Sequence, residues 1–128
     1  MERSAPSRTA IEERLARLSR AVARAAAEEE SEARQTALEG LARFACELAA
    51  HFEAEESRAA SPFRHREHAR LRGDLAEIDE RARAAGDWPE SWRAIAAAFA
   101  RFAAKLEEHE RAEAGQRRET RLEAKERT

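Results

Sequence analysis

Large apolar side chains in this chain return every three or four residues, the period of an α-helix, in four separate stretches. Ile11, Leu15, Leu18 and Val22 form the first stripe, and Leu41, Phe44, Leu48 and Phe52 the second. The third runs through His68, Leu71, Leu75 and Ile78, the fourth through Trp92, Ile95, Phe99, Phe102 and Leu106. Local signals mark most of the boundaries. Ser61-Pro62 is an N-cap followed by proline in the first turn, and Gly86 is a terminator. Asp87-Trp88-Pro89-Glu90 reads as a further start with Asp87 as the capping residue. Thr9 and Glu12 have the spacing of a capping box for the first helix. No Gly or Pro separates the first two stripes, so the link is placed at the like-charged run Glu28-Glu29-Glu30, before the N-cap candidate Ser31.

Four amphipathic helices on short links predict an all-α, antiparallel up-down four-helix bundle over residues 9–115. Residues 1–8 are expected to be disordered, and the charged segment 116–128 to be a solvated helical extension or a frayed tail. Alanine supplies 32 of the 128 residues, against 18 Leu, Ile, Val and Phe together. Such a core removes little apolar area from water. It is thin.

The 24 basic and 26 acidic residues leave a net charge of −2, which argues against a nucleic-acid or anionic-membrane partner. No apolar run reaches the roughly 20 residues that span a bilayer. The N-terminal residues lack the apolar region of a secretory signal, and one cysteine excludes an internal disulfide framework. A cytoplasmic protein, monomeric or homodimeric, is expected.

The four histidines carry the chemistry. In the second helix His51 and Glu55 share the face of Phe44 and Leu48, and in the fourth His109 and Glu113 continue the stripe of Phe102 and Leu106. His68 lies beside Leu71 and Leu75, while His65, on the flank of that face and one turn earlier, is either a further nitrogen donor or, as its position favours, a solvated side chain. Two helices thus each aim a His-x-x-x-Glu pair inward, and residues four apart can reach the same ion. Buried carboxylates without partners are costly, so packing alone explains this pattern poorly. Imidazole and carboxylate ligands projecting from facing helices describe a non-haem metal site, with iron or manganese as the first candidates. The halves of the chain also echo each other. His51-Phe52-Glu53-Ala54-Glu55 recurs as His109-Glu110-Arg111-Ala112-Glu113, and Glu12 in the first helix takes the place that His68 has in the third. Glu12 is therefore either a carboxylate ligand or a capping residue bonded back to Thr9. Cys46 falls opposite Leu41 and Leu48 and is expected to be semi-exposed, and Trp88 and Trp92 to pack as a pair.

On His51 to Glu56, Glu67 to Arg72 and His109 to Glu113, the chain resembles the hemerythrin-like (HHE cation-binding) domains, over roughly Ile11 to Glu113. The resemblance implies a carboxylate-bridged or oxygen-bridged pair of irons, with His51, His68 and His109 as terminal ligands and Glu55 and Glu113 as bridges. Two departures stand out: the histidine usual on the first helix is replaced by Glu12, and the Leu-Phe-Pro that often follows the motifs is absent. The implied function is a non-haem di-iron protein that meets O₂, NO or peroxide, or handles iron in a stress response. Three core histidines with up to three carboxylates favour ferric iron, hence redox or iron handling over reversible oxygen carriage. The alternatives are a mononuclear zinc or manganese site using His51, Glu55, His109 and Glu113, and a helical sensory or interaction module without metal.

Overall fold

The computed structural model describes residues 5–28, 30–59 and 61–126. They form four helices: α1 (Arg8–Ala27), α2 (Ser31–Arg58), α3 (Pro62–Ala85) and α4 (Pro89–Glu126). Helix α1 packs against α2 and α4, and α3 packs against the same two, so the helices surround one core with α1 across from α3. The fold is an all-helical bundle. Every large apolar residue of the four expected stripes is buried, with Trp92, Leu41 and Leu48 fully enclosed. Alanines complete the packing, among them Ala25, Ala37 and Ala82.

The start of α1 differs from the expected capping box. Ser7, in extended backbone, accepts a hydrogen bond from the Ala10 N–H at 3.2 Å, while Glu12 forms an ion pair with Arg8 at 3.0 Å. Ser7 supplies the oxygen that the first turn needs half a turn before Thr9, which leaves Glu12 free for its i−4 neighbour. Of the segment expected to be disordered, Met1–Ser4 lie outside the described residues, Ala5 and Pro6 are irregular, Ser7 is extended, and α1 already begins at Arg8.

The first link falls where the charge run placed it, although Glu29 lies outside the described residues. Ser31 is the first helical residue rather than the cap, and Glu30 in the cap position makes no side-chain bond. At α3 the Ser61 hydroxyl accepts from the Arg64 N–H, with Pro62 in the first turn. Gly86 ends α3 with φ 57°, a left-handed conformation that glycine adopts without steric cost. Asp87 does not cap α4. Its carbonyl and its carboxylate (3.2 Å) both hold the guanidinium of Arg34, a buried arginine of α2.

The two tryptophans part company. Trp92 is fully buried and donates its indole N–H to the Gly86 carbonyl at 2.8 Å, whereas Trp88 is 74% exposed. The α3–α4 turn places Trp88 before the first turn of α4, outside the groove that Trp92 fills. Helix α4 continues through Gly115 to Glu126 with its last turns exposed, and Arg127 and Thr128 lie outside the described residues. Among the described residues no helix is long and apolar enough to cross a membrane.

Two glycines within helices test how tightly the bundle is packed. A Cβ on Gly73 meets nothing within 4 Å, but one on Gly40 comes 2.8 Å from Leu18 Cδ1 in the core. Gly73→Ala should stabilise the protein by about 1 kcal/mol through helix propensity. Gly40→Ala should gain none of this, because Leu18 must shift. Urea denaturation of the two variants beside the parent chain checks the contrast.

Candidate metal centre

Apart from Arg34, the buried polar side chains among the described residues gather in one region of α2, α3 and α4. His51 and Glu55 follow Leu48 on the inward face of α2, His68 precedes Leu71 on α3, and His109, Glu110 and Glu113 follow Leu106 on α4. All six are buried. Phe52 separates them from the rest of the core. Its ring stacks on His68, with centroids 3.9 Å apart and planes 3° from parallel, and meets His109 edge-on at 5.5 Å. A flat apolar wall thus limits where the two imidazoles can turn.

Glu55 lies at the centre. Its Oε1 is 2.9 Å from His51 Nε2, and its Oε2 is 3.1 Å from His68 Nε2 and 3.8 Å from His109 Nε2. His51 Nε2 also meets Glu110 Oε1 at 2.7 Å, and His109 Nε2 lies 3.7 Å from Glu113 Oε1. The Nε2 atoms of His68 and His109 face each other at 3.1 Å, so only one of them can carry a hydrogen there. Two donor groups result, each with its ligand atoms within 4.8 Å of one another: Glu55, His68, His109 and Glu113, and His51, Glu55 and Glu110. Glu55 belongs to both. A buried group of this kind can hold a metal ion.

A second layer fixes the rings. His51 Nδ1 bonds the Pro6 carbonyl at 2.8 Å, His68 Nδ1 bonds Glu56 Oε1 at 3.2 Å, and His109 Nδ1 makes a short bond to Glu67 Oε1. With each Nδ1–H donated outward, each Nε2 points into the cluster. Metal-bound histidines have this arrangement, an outer acceptor holding tautomer and orientation.

For His51, His109 and Glu55, burial is the largest single influence and disfavours the charged form, but mutual pairing outweighs it. For His51, hydrogen bonds to Glu110 and Glu55 and their negative charges raise the pKa from 6.5 to about 10. For His109, Glu55 and Glu67 raise it in the same way. Against its own burial, Glu55 is held well below the usual carboxylate range by the imidazoles of His109, His51 and His68 around it. Pairing is nevertheless incomplete. Glu110 Oε2 is buried with no hydrogen-bond partner, and so is Glu55 Oε2, whose approach to His68 is too poorly aligned to count as one. Three imidazole nitrogens beside carboxylate oxygens that lack full partners are a donor set that fits a transition metal.

Five of the residues proposed from sequence, His51, Glu55, His68, His109 and Glu113, are brought together here. Glu12 is not. It is exposed on α1 with Arg8, because its position on the helix lies well off the buried stripe. His65 is 73% exposed and bonds the Glu56 oxygen that also holds His68. Cys46 is exposed, away from the cluster. Glu110 escaped sequence reasoning, although a signal existed: it lies four residues after Leu106, at the margin of the apolar stripe. Glu56 and Glu67 carried no such signal, since only the packing of α2, α3 and α4 brings them to a histidine. No protein-family model, curated protein or solved structure matches the chain.

These ionisations set how the metal-free protein responds to pH. A raised histidine pKa contributes stability that is complete below about pH 6.5 and is lost as pH rises, for His51 through about 10. The depressed Glu55 contributes stability above its ordinary pKa of 4.5 that is lost as pH falls below it. In the presence of chelator the melting temperature should therefore peak between about pH 4.5 and 6.5 and decline from there toward pH 10. Thermal melts followed by circular dichroism across this range check the profile.

Proposed function

We propose that this chain is a dinuclear metal protein of hemerythrin-like type, with iron as its first candidate metal. The observation that carries the reading is Glu55, one buried carboxylate shared by two donor groups whose histidines all present Nε2 inward. A carboxylate with an oxygen toward each group suits a bridge. The full donor set, three imidazoles and Glu55, Glu110 and Glu113, is oxygen-rich, and anionic ligands favour the ferric state. That balance supports redox chemistry or iron handling in a stress response over reversible oxygen carriage. When bound, a pair of irons supplies coordination of, or electron exchange with, a small ligand such as O₂, NO or peroxide.

The residues of the chain have separable tasks. His51, His68 and His109 would hold the metal through Nε2, while Pro6, Glu56 and Glu67 keep the rings from turning. Phe52 excludes water from one side of the cluster. Glu110 would supply a further carboxylate donor beside His51 and Glu55. The donors come from the late part of α2, the early part of α3 and the middle of α4, which suits an antiparallel up-down bundle.

A specific observation favours a second reading. The group with His51 offers three donors against four in the other, and α1 contributes none among the described residues. This suits a mononuclear site for zinc or manganese at Glu55, His68, His109 and Glu113, with His68 in the place that the sequence reading gave to His51. A metal-free helical interaction module is the remaining possibility.

Metal analysis after aerobic purification without chelator, and after anaerobic loading with Fe(II), separates the three. The dinuclear reading expects close to two irons per chain with near-ultraviolet charge-transfer absorption. The mononuclear reading expects one metal, and the module none. Loading should raise stability by about 4 kcal/mol when free metal exceeds its Kd a thousandfold. His51→Ala and His109→Ala should each lose metal and most of that gain, Glu55→Ala should bind none, and His65→Ala should keep most of both. Equal damage from His65→Ala would overturn the ligand set.

A further inference from the structure

Two arginines stand against the acids of the cluster. Arg64 of α3 places Nε 2.6 Å from Glu113 Oε1, the same oxygen that faces His109 Nε2 at 3.7 Å. Arg117 of α4 places Nη2 3.4 Å from Glu55 Oε1, the oxygen that also meets His51. Arg64 is mostly buried, its side chain 14% exposed, and does not depend on Glu113 for its position. Its Nη1 donates to the Ala59 carbonyl at 3.1 Å, and its Nη2 donates to Gln116 Oε1 at 3.2 Å. Arg117 is more open, with 42% of its side chain exposed. Both guanidiniums therefore sit where the four-donor group meets solvent.

We infer that Arg64, assisted by Arg117, is a built-in counter-cation that a metal must displace, and that this exchange sets the threshold a cation must exceed to occupy the centre. The inference rests on the proposed metal centre and adds to it a threshold that weakly held cations fail to cross. A metal taken up beside His109 competes with Arg64 for Glu113 Oε1. Because Ala59 and Gln116 hold Arg64 in place, Glu113 gives up its ion pair rather than carrying the arginine with it. A guanidinium this close opposes an incoming cation strongly in a partly buried site. What the cation receives in exchange depends on its chemistry. Cobalt, iron or zinc gains the imidazoles of His68 and His109 along with the carboxylates. Magnesium and calcium prefer oxygen ligands and gain little from those nitrogens. The barrier is common to all, and the return is not.

The test is a titration of purified, chelator-treated protein with Co²⁺, followed by visible absorption and by competition with a chelator. Mg²⁺ and Ca²⁺ are titrated in parallel by calorimetry. Arg64→Gln should tighten Co²⁺ at least about tenfold and make Mg²⁺ or Ca²⁺ binding detectable where the parent shows none. Arg64→Lys, which keeps the charge, should stay near the parent. Arg101→Gln, an exposed change of the same charge on α4, should leave every affinity unaltered. If Arg64→Gln fails to fold, Arg117→Gln at the exposed edge should still tighten Co²⁺ by about threefold or more. Equal or weaker Co²⁺ binding in Arg64→Gln, with the parent binding normally, overturns the displacement idea and leaves the metal centre standing. So does equal tightening in Arg101→Gln. Absence of Co²⁺ binding in the parent and in every variant overturns the metal centre and this inference together.

Discussion

One carboxylate ties three helices to a point. Glu55 of α2 stands within 4 Å of imidazoles from its own helix, from α3 and from α4, and a guanidinium reaches it from the solvent side. A buried ion of this kind costs several kcal/mol to remove from water, and that cost is recovered only through well-placed partners. The partners must arrive together. If one histidine were displaced, an uncompensated charge would remain between helices that have few large side chains to hold them.

The remainder of the bundle serves this arrangement. Apolar packing fills the end bounded by the α1–α2 and α3–α4 links, where Trp92 closes against the Gly86 carbonyl and Arg34 ties α2 to the turn at Asp87. The other end holds the ionised cluster, and Phe52 forms the partition between them. Alanine faces let the helices approach closely enough for short side chains to meet across the axis. That closeness brings His68 and His109 to 3.1 Å without any covalent or loop constraint. The thin core and the dense polar cluster are two results of the same composition.

The outer ring of acceptors gives the site direction. Pro6, Glu56 and Glu67 come from three different parts of the chain, yet each takes the Nδ1–H of one histidine. The histidines are thereby pre-turned, with Nε2 toward shared carboxylates and little rotamer freedom left to lose on binding. Arg64 and Arg117 complete the charge balance from the outside. The cluster is thus nearly self-neutralised before any cation arrives, which makes uptake an exchange rather than a simple attraction.

Helical periodicity and residue type by themselves determined that this chain forms four helices, which face each buries, and that His51, Glu55, His68, His109 and Glu113 point inward. Period and side-chain chemistry are local properties, readable wherever i, i+3 and i+4 neighbours must share a face. Details that depend on competition between neighbours were decided in three dimensions. Ser7 rather than Thr9 caps α1, Asp87 turns to Arg34 instead of capping α4, and Trp88 leaves Trp92 for solvent. The pairing of helices also decided the composition of the cluster. It excluded Glu12, drew in Glu110 from the margin of its stripe, and set Glu56, Glu67, Arg64 and Arg117 around the site. A residue's face follows from its own helix, but its partners follow from the helix opposite, and no spacing along one strand of sequence encodes that distance.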